Sequence, residues 1–445
     1  MGGRLVYRIA LMAVLLGVLV PAGFGGEEAA TGRRSRRQRR ADARAARTAA
    51  EAGEESPETE MEAALEAARR ANVDLPSDLQ LKYIWSLPLG RHIVDKKYLW
   101  IIKDYVVAVS RSKLLHLIRK ADGVAVWTME LGSMPMYKPV ITKKAVYLVV
   151  ENYVVCIDLR EGQIIWRIEP PFAISAAPVV HEPDFYIAGW DKKLHAFELR
   201  VRERVWYQGR GEEDALKGTH HYLFPSWHLT TKGHIVGNPQ EFSGFIYFPS
   251  EDGQLYSISR DGDLRYKAPT QKPIKATPTI KEDKAFVGST DFSLYCFNRL
   301  TGGEMWHFPT GADVLKKPYV DKRSGVVYCP SNRNGIFGID ERTGLKAWQI
   351  EDAEEILGVS KEVVYLGLRR GRMLAVSKKS GVALWISLLK GVRYYVENHN
   401  DWSRLGSPDP MQVFLMLKGN VLCCLEDLGV ETAPVKKAKK VAANP

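Results

Sequence analysis

A short phrase recurs along the chain: a glycine, three variable residues and a tryptophan. The intact copies run from Gly123 to Trp127, Gly162 to Trp166, Gly302 to Trp306, Gly344 to Trp348 and Gly381 to Trp385. Two altered copies have Arg202 before Trp206 and Tyr266 after Gly262. Most of the seven aromatic positions lie one regular period apart, but the interval from Trp206 to Tyr266 is half as long again. This spacing predicts a repeat array with a period of about 40 residues and one insertion of roughly 20 residues.

Each repeat contains the pattern of short β-strands separated by turns. A proline follows the aromatic residue at one fixed interval, at Pro139, Pro178, Pro278 and Pro318. A β-branched and aromatic run comes next, as in Val327–Cys329, and then an alternating segment such as Leu294–Asn298. No helical period occurs in the repeat. Four strands in about 40 residues predict one blade of a β-propeller.

The glycine and the aromatic residue have structural roles in this interpretation. Glycine adopts the positive φ of a tight turn without steric cost. A large aromatic ring can pack against the neighbouring blade and bury about 150 to 250 Å². We therefore predict contacts between blades, and not a ligand-binding aromatic ladder. The predicted blade-packing residues are Gly123, Trp127, Gly162, Trp166, Trp206, Gly302, Trp306, Gly344, Trp348, Gly381 and Trp385.

The two ends of the array predict the number of blades. Leu79–Trp85 resembles an outer strand without a blade, and it ends one repeat length before Trp127. Two alternating segments follow Trp385 without a closing aromatic phrase, Val413–Leu417 and Val421–Leu425. Joining these segments completes an eighth blade and leaves no open sheet edge. We predict an all-β, eight-bladed propeller of four-stranded antiparallel blades over residues 79–427, with seven blades as the alternative.

The composition of the segments on either side of the repeat array indicates that the chain is exported and that these segments are flexible. Residues 1–26 combine two arginines, an apolar run and small residues, which is the pattern of a secretory signal peptide. A retained membrane anchor is the alternative, because eight arginines lie within residues 33–47 and positive charge tends to stay in the cytoplasm. We expect residues 27–78 to be an Arg/Ala/Glu-rich flexible spacer with some helix, and residues 428–445 to be a disordered basic tail.

The charge of the chain bears on its partners. The formal net charge is +11, which suits acidic partners or peripheral association with an anionic membrane surface. The arginine run has no interleaved aromatic residues, so we expect a solvated spacer and no nucleic-acid binding. These features together predict a periplasmic or cell-envelope protein.

The five cysteines fall at repeat positions. Cys156, Cys296 and Cys424 share one position of the third strand, and Cys329 lies in a second strand. Equivalent positions of different blades are too far apart for a disulfide. We therefore predict small buried apolar side chains, with no disulfide framework and no metal site.

The insertion is predicted to follow Trp206, as a loop between two blades within residues 209–233. The stretch from Trp206 to Pro239 contains four histidines, but no cysteine or acidic residue at ligand spacing, so we expect no metal. The loop either binds a partner or plugs the channel of the propeller. In the first case it would share one face with turns of other blades. The predicted partner-binding residues are Trp190, Tyr222, Phe224, Trp227, His228, Arg333, Arg369 and Arg370.

The segment Ile339–Trp348 resembles the repeat signature of pyrroloquinoline-quinone-type β-propellers. That family includes quinoprotein alcohol dehydrogenases and the outer-membrane-assembly propeller of bacteria. The resemblance implies the propeller fold and leaves two functions open: a non-catalytic scaffold for protein partners in the envelope, with outer-membrane protein assembly as the specific role, or a quinone-dependent dehydrogenase.

Three observations favour the scaffold over the dehydrogenase. Some quinone enzymes use a vicinal disulfide as a lid, but Cys423 and Cys424 lie in a predicted strand and not in a loop over the channel. No set of Glu, Asn and Asp stands out as calcium ligands, and the chain is shorter than those enzymes. We therefore predict no catalytic residues, no cofactor, protein partners and a monomer.

Overall fold

A computed structural model describes residues 81–89, 94–207, 215–321, 323–388, 392–397 and 411–427. Within these ranges the chain forms eight four-stranded sheets. The only helical element there is a 3-10 turn at Arg369–Gly371. No helix in the described part is long and apolar enough to cross a membrane. The predicted signal or anchor, spacer and basic tail lie outside the described residues.

Every sheet is an antiparallel meander. Blade 1 contains β2 (Val94–Ile102), β3 (Tyr105–Ser110), β4 (Leu114–Arg119) and β5 (Ala125–Glu130). Blade 2 contains β6 (Val140–Ile141), β7 (Ala145–Val150), β8 (Tyr153–Asp158) and β9 (Ile164–Ile168). Blade 3 contains β10 (Val179–His181), β11 (Asp184–Ala188), β12 (Lys193–Tyr207) and β13 (Ala215–Thr230). Blade 4 contains β14 (Gln240–Phe242), β15 (Phe245–Pro249), β16 (Gln254–Ser259) and β17 (Leu264–Pro269).

The second half of the ring follows the same order. Blade 5 contains β18 (Thr279–Lys281), β19 (Lys284–Gly288), β20 (Ser293–Asn298) and β21 (Glu304–Pro309). Blade 6 contains β22 (Tyr319–Asp321), β23 (Val326–Ser331), β24 (Gly335–Asp340) and β25 (Lys346–Ile350). Blade 7 contains β26 (Ala353–Val359), β27 (Val363–Leu368), β28 (Arg372–Ser377) and β29 (Ala383–Leu388). Blade 8 contains β30 (Val392–Val396), β31 (Met411–Leu417), β32 (Val421–Asp427) and β1 (Leu81–Pro88).

Blade 8 is built from both ends of the described chain. Strand β1 pairs antiparallel with β32, with Tyr83 opposite Leu425 and Pro88 opposite Val421. The pairing supplies an outer strand that the C-terminal segment lacks, so no blade is left with three strands. The predicted eight-bladed, all-β propeller and its closure are confirmed, and the seven-bladed alternative is wrong.

The second strand of each blade is buried on both sides, which explains why its sequence is a continuous apolar run. All six residues of β7 are buried, and the same is true of β23 and β27. A blade packs against a neighbour on each of its faces, so both sides of its middle strands are removed from water. The hydrophobic clusters accordingly lie between blades, as where Trp348 and Leu366 join blades 6 and 7.

The insertion does not form the predicted loop between blades. Its described residues lengthen β12 and β13 into one hairpin, in which Arg200 lies opposite Tyr222 and Trp206 opposite Leu216. The extra residues therefore fall between the third and fourth strands of blade 3. The plug is wrong for the described part of the insertion, because β13 is the outermost strand of its sheet.

Successive turns of a meander alternate between the two ends of a sheet, which gives the ring two distinct faces. We define the upper face as the one with the connections between blades and the turns between second and third strands. Those turns lie at residues 111–113, 151–152, 189–192, 250–253, 289–292, 332–334, 369–371 and 418–420. The hairpin of β12 and β13 extends from the lower face.

Candidate functional site

The aromatic residue of each outer strand lies against the next blade. The indole of Trp127 packs on Gly162, where an added Cβ would come within 2.6 Å of the ring. The indole N–H donates to the carbonyl of Leu159 at 3.0 Å. Gly162 has a φ of +71°, which leaves room for the ring and shapes the turn. The same contact joins Trp85 to Gly123, Trp227 to Gly262, Tyr266 to Gly302, Trp306 to Gly344 and Trp348 to Gly381.

Blade 3 corrects one position in the predicted packing set. Trp227, and not Trp206, lies opposite the small third-strand residue Ala196 in the register of the other blades. The Trp227 indole donates to the Arg260 carbonyl at 2.9 Å and lies against Gly262. Trp227 therefore packs between blades 3 and 4 and not among the turns of the upper face. The sequence interpretation placed the insertion on the wrong side of the fourth strand.

The upper face presents isolated apolar side chains. Trp190 is 48% exposed in the turn after β11, and Phe292 is 44% exposed in the turn after β19. Met136 and Leu315 are 53% and 42% exposed in connections between blades. Trp, Phe and Met are enriched in protein interfaces relative to the rest of a protein surface, so this face is a candidate contact surface.

Trp190 is held by a rigid local network. Its backbone N–H donates to the Ala173 carbonyl at 2.8 Å, and its ring lies 5.3 Å from the His234 ring. The carboxylate of Asp191 bonds the His195 imidazole at 2.9 Å, and that ring stacks on Phe172 at 3.9 Å. Burial lowers the pKa of His195, although the bond to Asp191 opposes the shift. These contacts hold the turn that presents Trp190 at the upper face.

Basic side chains also lie on the upper face. The Lys272 ammonium lies 5.3 Å from the centre of the Phe292 ring. Arg333 is exposed in the turn after β23, and Arg369 lies in the 3-10 turn, 3.5 Å from the Glu354 carboxylate. Arg370 belongs to the same 3-10 turn. The upper face thus combines apolar anchors with cationic groups, a combination that suits an acidic protein segment.

The structure separates the predicted partner-binding residues into distinct places. Trp190, Arg333 and Arg369 share the upper face, as predicted. Tyr222 and Phe224 lie on the hairpin, where the Arg200 guanidinium stacks 3.6 Å from the Phe224 ring. Their grouping with the upper face is wrong, because the insertion lengthens strands that point the other way. His228 is exposed on β13, opposite His195.

Metal and redox chemistry have few candidate groups in the described ranges. No three His, Cys, Asp or Glu side chains come together there as they would around a metal ion. The five cysteines are all buried and unbonded. Cys423 and Cys424 lie within β32, and burial raises the pKa of Cys423 to about 12. A thiol held protonated in this way is a poor nucleophile and a poor metal ligand.

Charged side chains meet at the axis of the ring, a feature that the sequence interpretation missed. Lys96 of blade 1 pairs with Glu355 of blade 7. The Lys316 ammonium, just before blade 6, lies 3.2 Å from the carboxylate of Glu397 after β30. The neighbouring Lys317 donates to Gln240 Oε1 of blade 4 at 3.3 Å. Contacts between blades that are not adjacent place these groups across the central channel.

Comparison with known proteins adds a family. A family model described as outer membrane protein assembly factor BamB matches residues 90–222, 225–307 and 251–401, which is more than half of the chain. No curated protein sequence matches the chain significantly.

Solved structures agree on the fold. BamB from Moraxella catarrhalis superposes with a TM-score of 0.58 at 14% identity, covering 79% of this chain and 99% of that one. The computationally designed Ika8 protein gives a TM-score of 0.54 at 12% identity, over 78% and 99%. Saccharomyces cerevisiae Sqt1 gives 0.56 at 11% identity, over 78% and 100%. Identities this low establish a shared architecture and no shared activity.

Proposed function

The chain belongs to the family of outer membrane protein assembly factor BamB, and from this premise we propose that it is a non-catalytic scaffold that binds protein partners in the cell envelope. The specific role we propose is in outer-membrane protein assembly. The proposal includes export through the N-terminal apolar segment, which matches a signal peptide in composition.

The observation that carries the proposal is the composition of the upper face. Trp190, Met136, Phe292 and Leu315 are exposed there, and no other described part of the chain covers them. Aromatic side chains with few rotatable bonds make efficient interface anchors, since little conformational entropy is lost on binding. The surrounding lysines and arginines favour an acidic partner segment and accelerate its encounter with this face.

Site-specific photo-crosslinking in living cells tests this surface. Trp190 is replaced by p-benzoylphenylalanine, and the matched control carries the same residue at Leu345, which is 69% exposed in a lower-face turn. We expect an envelope protein to be captured from position 190 and not from position 345. Equal capture from both positions, or none from position 190, would contradict the assignment of the upper face.

The dehydrogenase alternative has its own test. The purified chain is mixed with pyrroloquinoline quinone and calcium, and dye-linked alcohol oxidation is measured. We expect no turnover, because the described residues offer no group of metal-binding side chains and Cys423–Cys424 lies in a buried strand. Turnover at an ordinary enzymatic rate, on the order of 1 to 1000 per second, would reverse the assignment.

A further inference from the structure

The insertion gives blade 3 a two-stranded ribbon, which the described parts of the other blades lack. Strands β12 and β13 contain 15 and 16 residues, whereas the third strands of the other blades contain six or seven. Strand β11 begins at Asp184, opposite Glu198, so β12 continues beyond it with β13 as its one described neighbour. We call residues 199–207 and 215–223 the ribbon. Natural proteins usually shorten, charge or cover an unpaired strand edge, and this one is long.

The inner edge of the ribbon, on the side of β11, offers backbone groups for pairing. The Leu199 N–H donates to the Pro183 carbonyl at 2.8 Å, so the odd-numbered residues of β12 direct their N–H and C=O groups to this side. The odd-numbered residues from 201 to 207 meet no further strand there in the described part of the chain. Val201 is 55% exposed, and Glu203 is also exposed. An accessible row of such groups is a template for one more strand.

The arginines of the ribbon lie on one face. Arginine occupies positions 200, 202 and 204, and alternate residues of a strand share a face. The Arg200 guanidinium donates to Glu198 Oε2 at 2.8 Å and stacks 3.6 Å from the Phe224 ring, while Arg202 is exposed. The two strands of the ribbon together carry four Lys or Arg and one Glu, a formal charge of +3. The connecting residues 208–214, outside the described ranges, carry −2 from one Arg and three acidic residues, so the positive charge is concentrated along the strands.

The opposite face of the ribbon is anchored to the ring. Leu199 and Leu223 pack against the hydrophobic cluster between blades 2 and 3, and the His221 ring stacks 6.4 Å from the Trp166 ring. Val201 is the next residue of β12 on this face. Because these contacts fix the ribbon in place, binding at its edge loses little conformational entropy.

We propose that the inner edge of the ribbon binds an extended segment of a partner protein as an added strand, in which acidic and apolar residues alternate. The backbone of the segment pairs with residues 201–207. Its acidic side chains lie beside Arg200 and Arg202, and its apolar side chains lie beside Val201, because residues opposite one another in a sheet share a face. This surface is separate from the upper face and does not depend on the function proposed for that face.

The charge pattern disfavours a second copy of this chain as the partner. When the inner edge pairs antiparallel with the same edge of another copy, the two registers of greatest overlap place Arg202 opposite Arg204, or Arg204 opposite Arg204. Like charges directly opposite each other destabilise a sheet. A strand with acidic residues at those positions replaces each repulsion with an attraction.

A synthetic peptide of about nine residues, alternating valine and glutamate, is the probe for this edge. We expect the purified full chain to bind it with a dissociation constant of about 100 µM or tighter, measured by fluorescence anisotropy. A peptide with lysine in place of glutamate should bind at least tenfold more weakly, because the arginines repel it. A peptide of alternating glycine and glutamate has the same charge but a lower strand propensity, and it should also bind at least tenfold more weakly.

Two proline variants distinguish the edges of the ribbon. Val201→Pro removes an N–H from the inner edge, and Thr219→Pro removes one from the outer edge of β13, while neither N–H joins the two strands. Val201→Pro should weaken binding of the valine-glutamate peptide at least tenfold, whereas Thr219→Pro should leave it unchanged. Arg202→Gln keeps the backbone intact and should weaken binding about threefold. Circular dichroism and Tm confirm that each variant is folded.

Four results would overturn the proposal. They are no saturable binding of the valine-glutamate peptide by the parent chain, equal binding of either control peptide, unaltered binding by Val201→Pro, and an equal loss of binding in both proline variants.

Discussion

The contacts between neighbouring blades, here called seams, repeat around the ring, whereas the side chains near the axial channel differ among the blades. In the seams, one contact is repeated: an aromatic ring on a glycine, with an indole N–H given to a carbonyl of the next blade. Along the channel, the residue before the inner-strand proline varies among the blades. It is occupied by Lys138, Ala177, Asn238, Thr277 and Lys317 in blades 2 to 6.

The difference separates stability from specificity. The same packing contact occurs in six of the eight seams, so most blades are supported in the same way and the fold tolerates different residues elsewhere. The channel and the upper face are where the repeat is not kept, and there each blade contributes its own side chain. Variants in the two regions should therefore behave differently, and the predictions below compare them.

Deleting β1 should have the largest effect. Removal of Leu81–Pro88 leaves the edge of β32 unpaired and removes Trp85's contact with Gly123. We expect a loss of several kcal/mol and a fall in Tm on the order of 10 °C or more. A synthetic peptide covering residues 79–89 should restore part of the loss. A truncated chain that melts like the full chain would show that closure contributes nothing.

The buried ion pair in the seam of blades 6 and 7 should come next. The Lys378 ammonium lies 2.5 Å from the Asp321 carboxylate, with side chains 2% and 3% exposed. Asp321→Ala leaves a buried unpaired ammonium and should cost about 3 to 5 kcal/mol in urea denaturation. The double variant Asp321→Leu, Lys378→Met removes both charges and should cost less. A double variant as unstable as Asp321→Ala would contradict this explanation.

Glycine substitutions measure the seam contact itself. Gly344 and Gly325 have φ of +73° and +65°, but a Cβ at Gly344 would lie 2.7 Å from the Trp306 ring, whereas nothing lies within 4 Å at Gly325. We expect Gly325→Ala to cost about 1 kcal/mol from backbone strain alone. Gly344→Ala should cost about 2 to 4 kcal/mol, because the ring must also move. Equal costs in chemical denaturation would mean that the ring contact is unimportant.

Lys138→Met should have an effect of the opposite sign, smaller in size than that of Gly344→Ala. The folded-state pKa of Lys138 is about 8, below its ordinary 10.5, because of burial, Lys317 and, in opposition, Glu397. Below pH 8 Lys138 is protonated in both the folded and the unfolded state, so the cost of burying its charge is fully present. The free energy of unfolding therefore rises as pH increases from about 8 to about 10.5. Lys138→Met should therefore stabilise the chain by about 1 to 3 kcal/mol at pH 7.

The comparison with the parent chain must be made across pH. The advantage of Lys138→Met should shrink toward pH 10, where the parent lysine is neutral as well. If the free energies of unfolding of the two chains change in parallel between pH 7 and pH 10, burial does not lower the pKa of Lys138.

The repeat made most of the fold predictable from sequence. The spacing of the aromatic residues, together with the unpaired strand segments at the two ends of the array, was enough to predict eight blades and closure through Trp85. The insertion was misplaced because two tryptophans satisfy the period, each on one side: Trp206 lies one period after Trp166, and Trp227 lies one period before Tyr266. One signal separated them, since Pro239 follows Trp227 by the same interval that separates proline from the aromatic residue in other blades.

The axial charges could not be predicted in the same way. Lys317 and Gln240 are far apart in the sequence, and no local pattern connects them. Their contact depends on the radius of the ring and on side chains that cross it, which a repeat period does not specify. The upper face was partly predictable, since Trp190, Arg333 and Arg369 lie in turns that the period places at one end of every blade.

Because β1 pairs with β32, blade 8 can close only after the whole propeller has been synthesised. Strand β1 is the first strand of the propeller to be synthesised, and its partner β32 is the last. Blades 1 to 7 can therefore form before β1 has a strand to pair with. Contacts between such distant parts of a chain form slowly. Until they form, the unpaired strand edge is exposed to proteases and to other chains. Loss of even the final strand during synthesis would therefore leave an open ring with an unpaired strand edge.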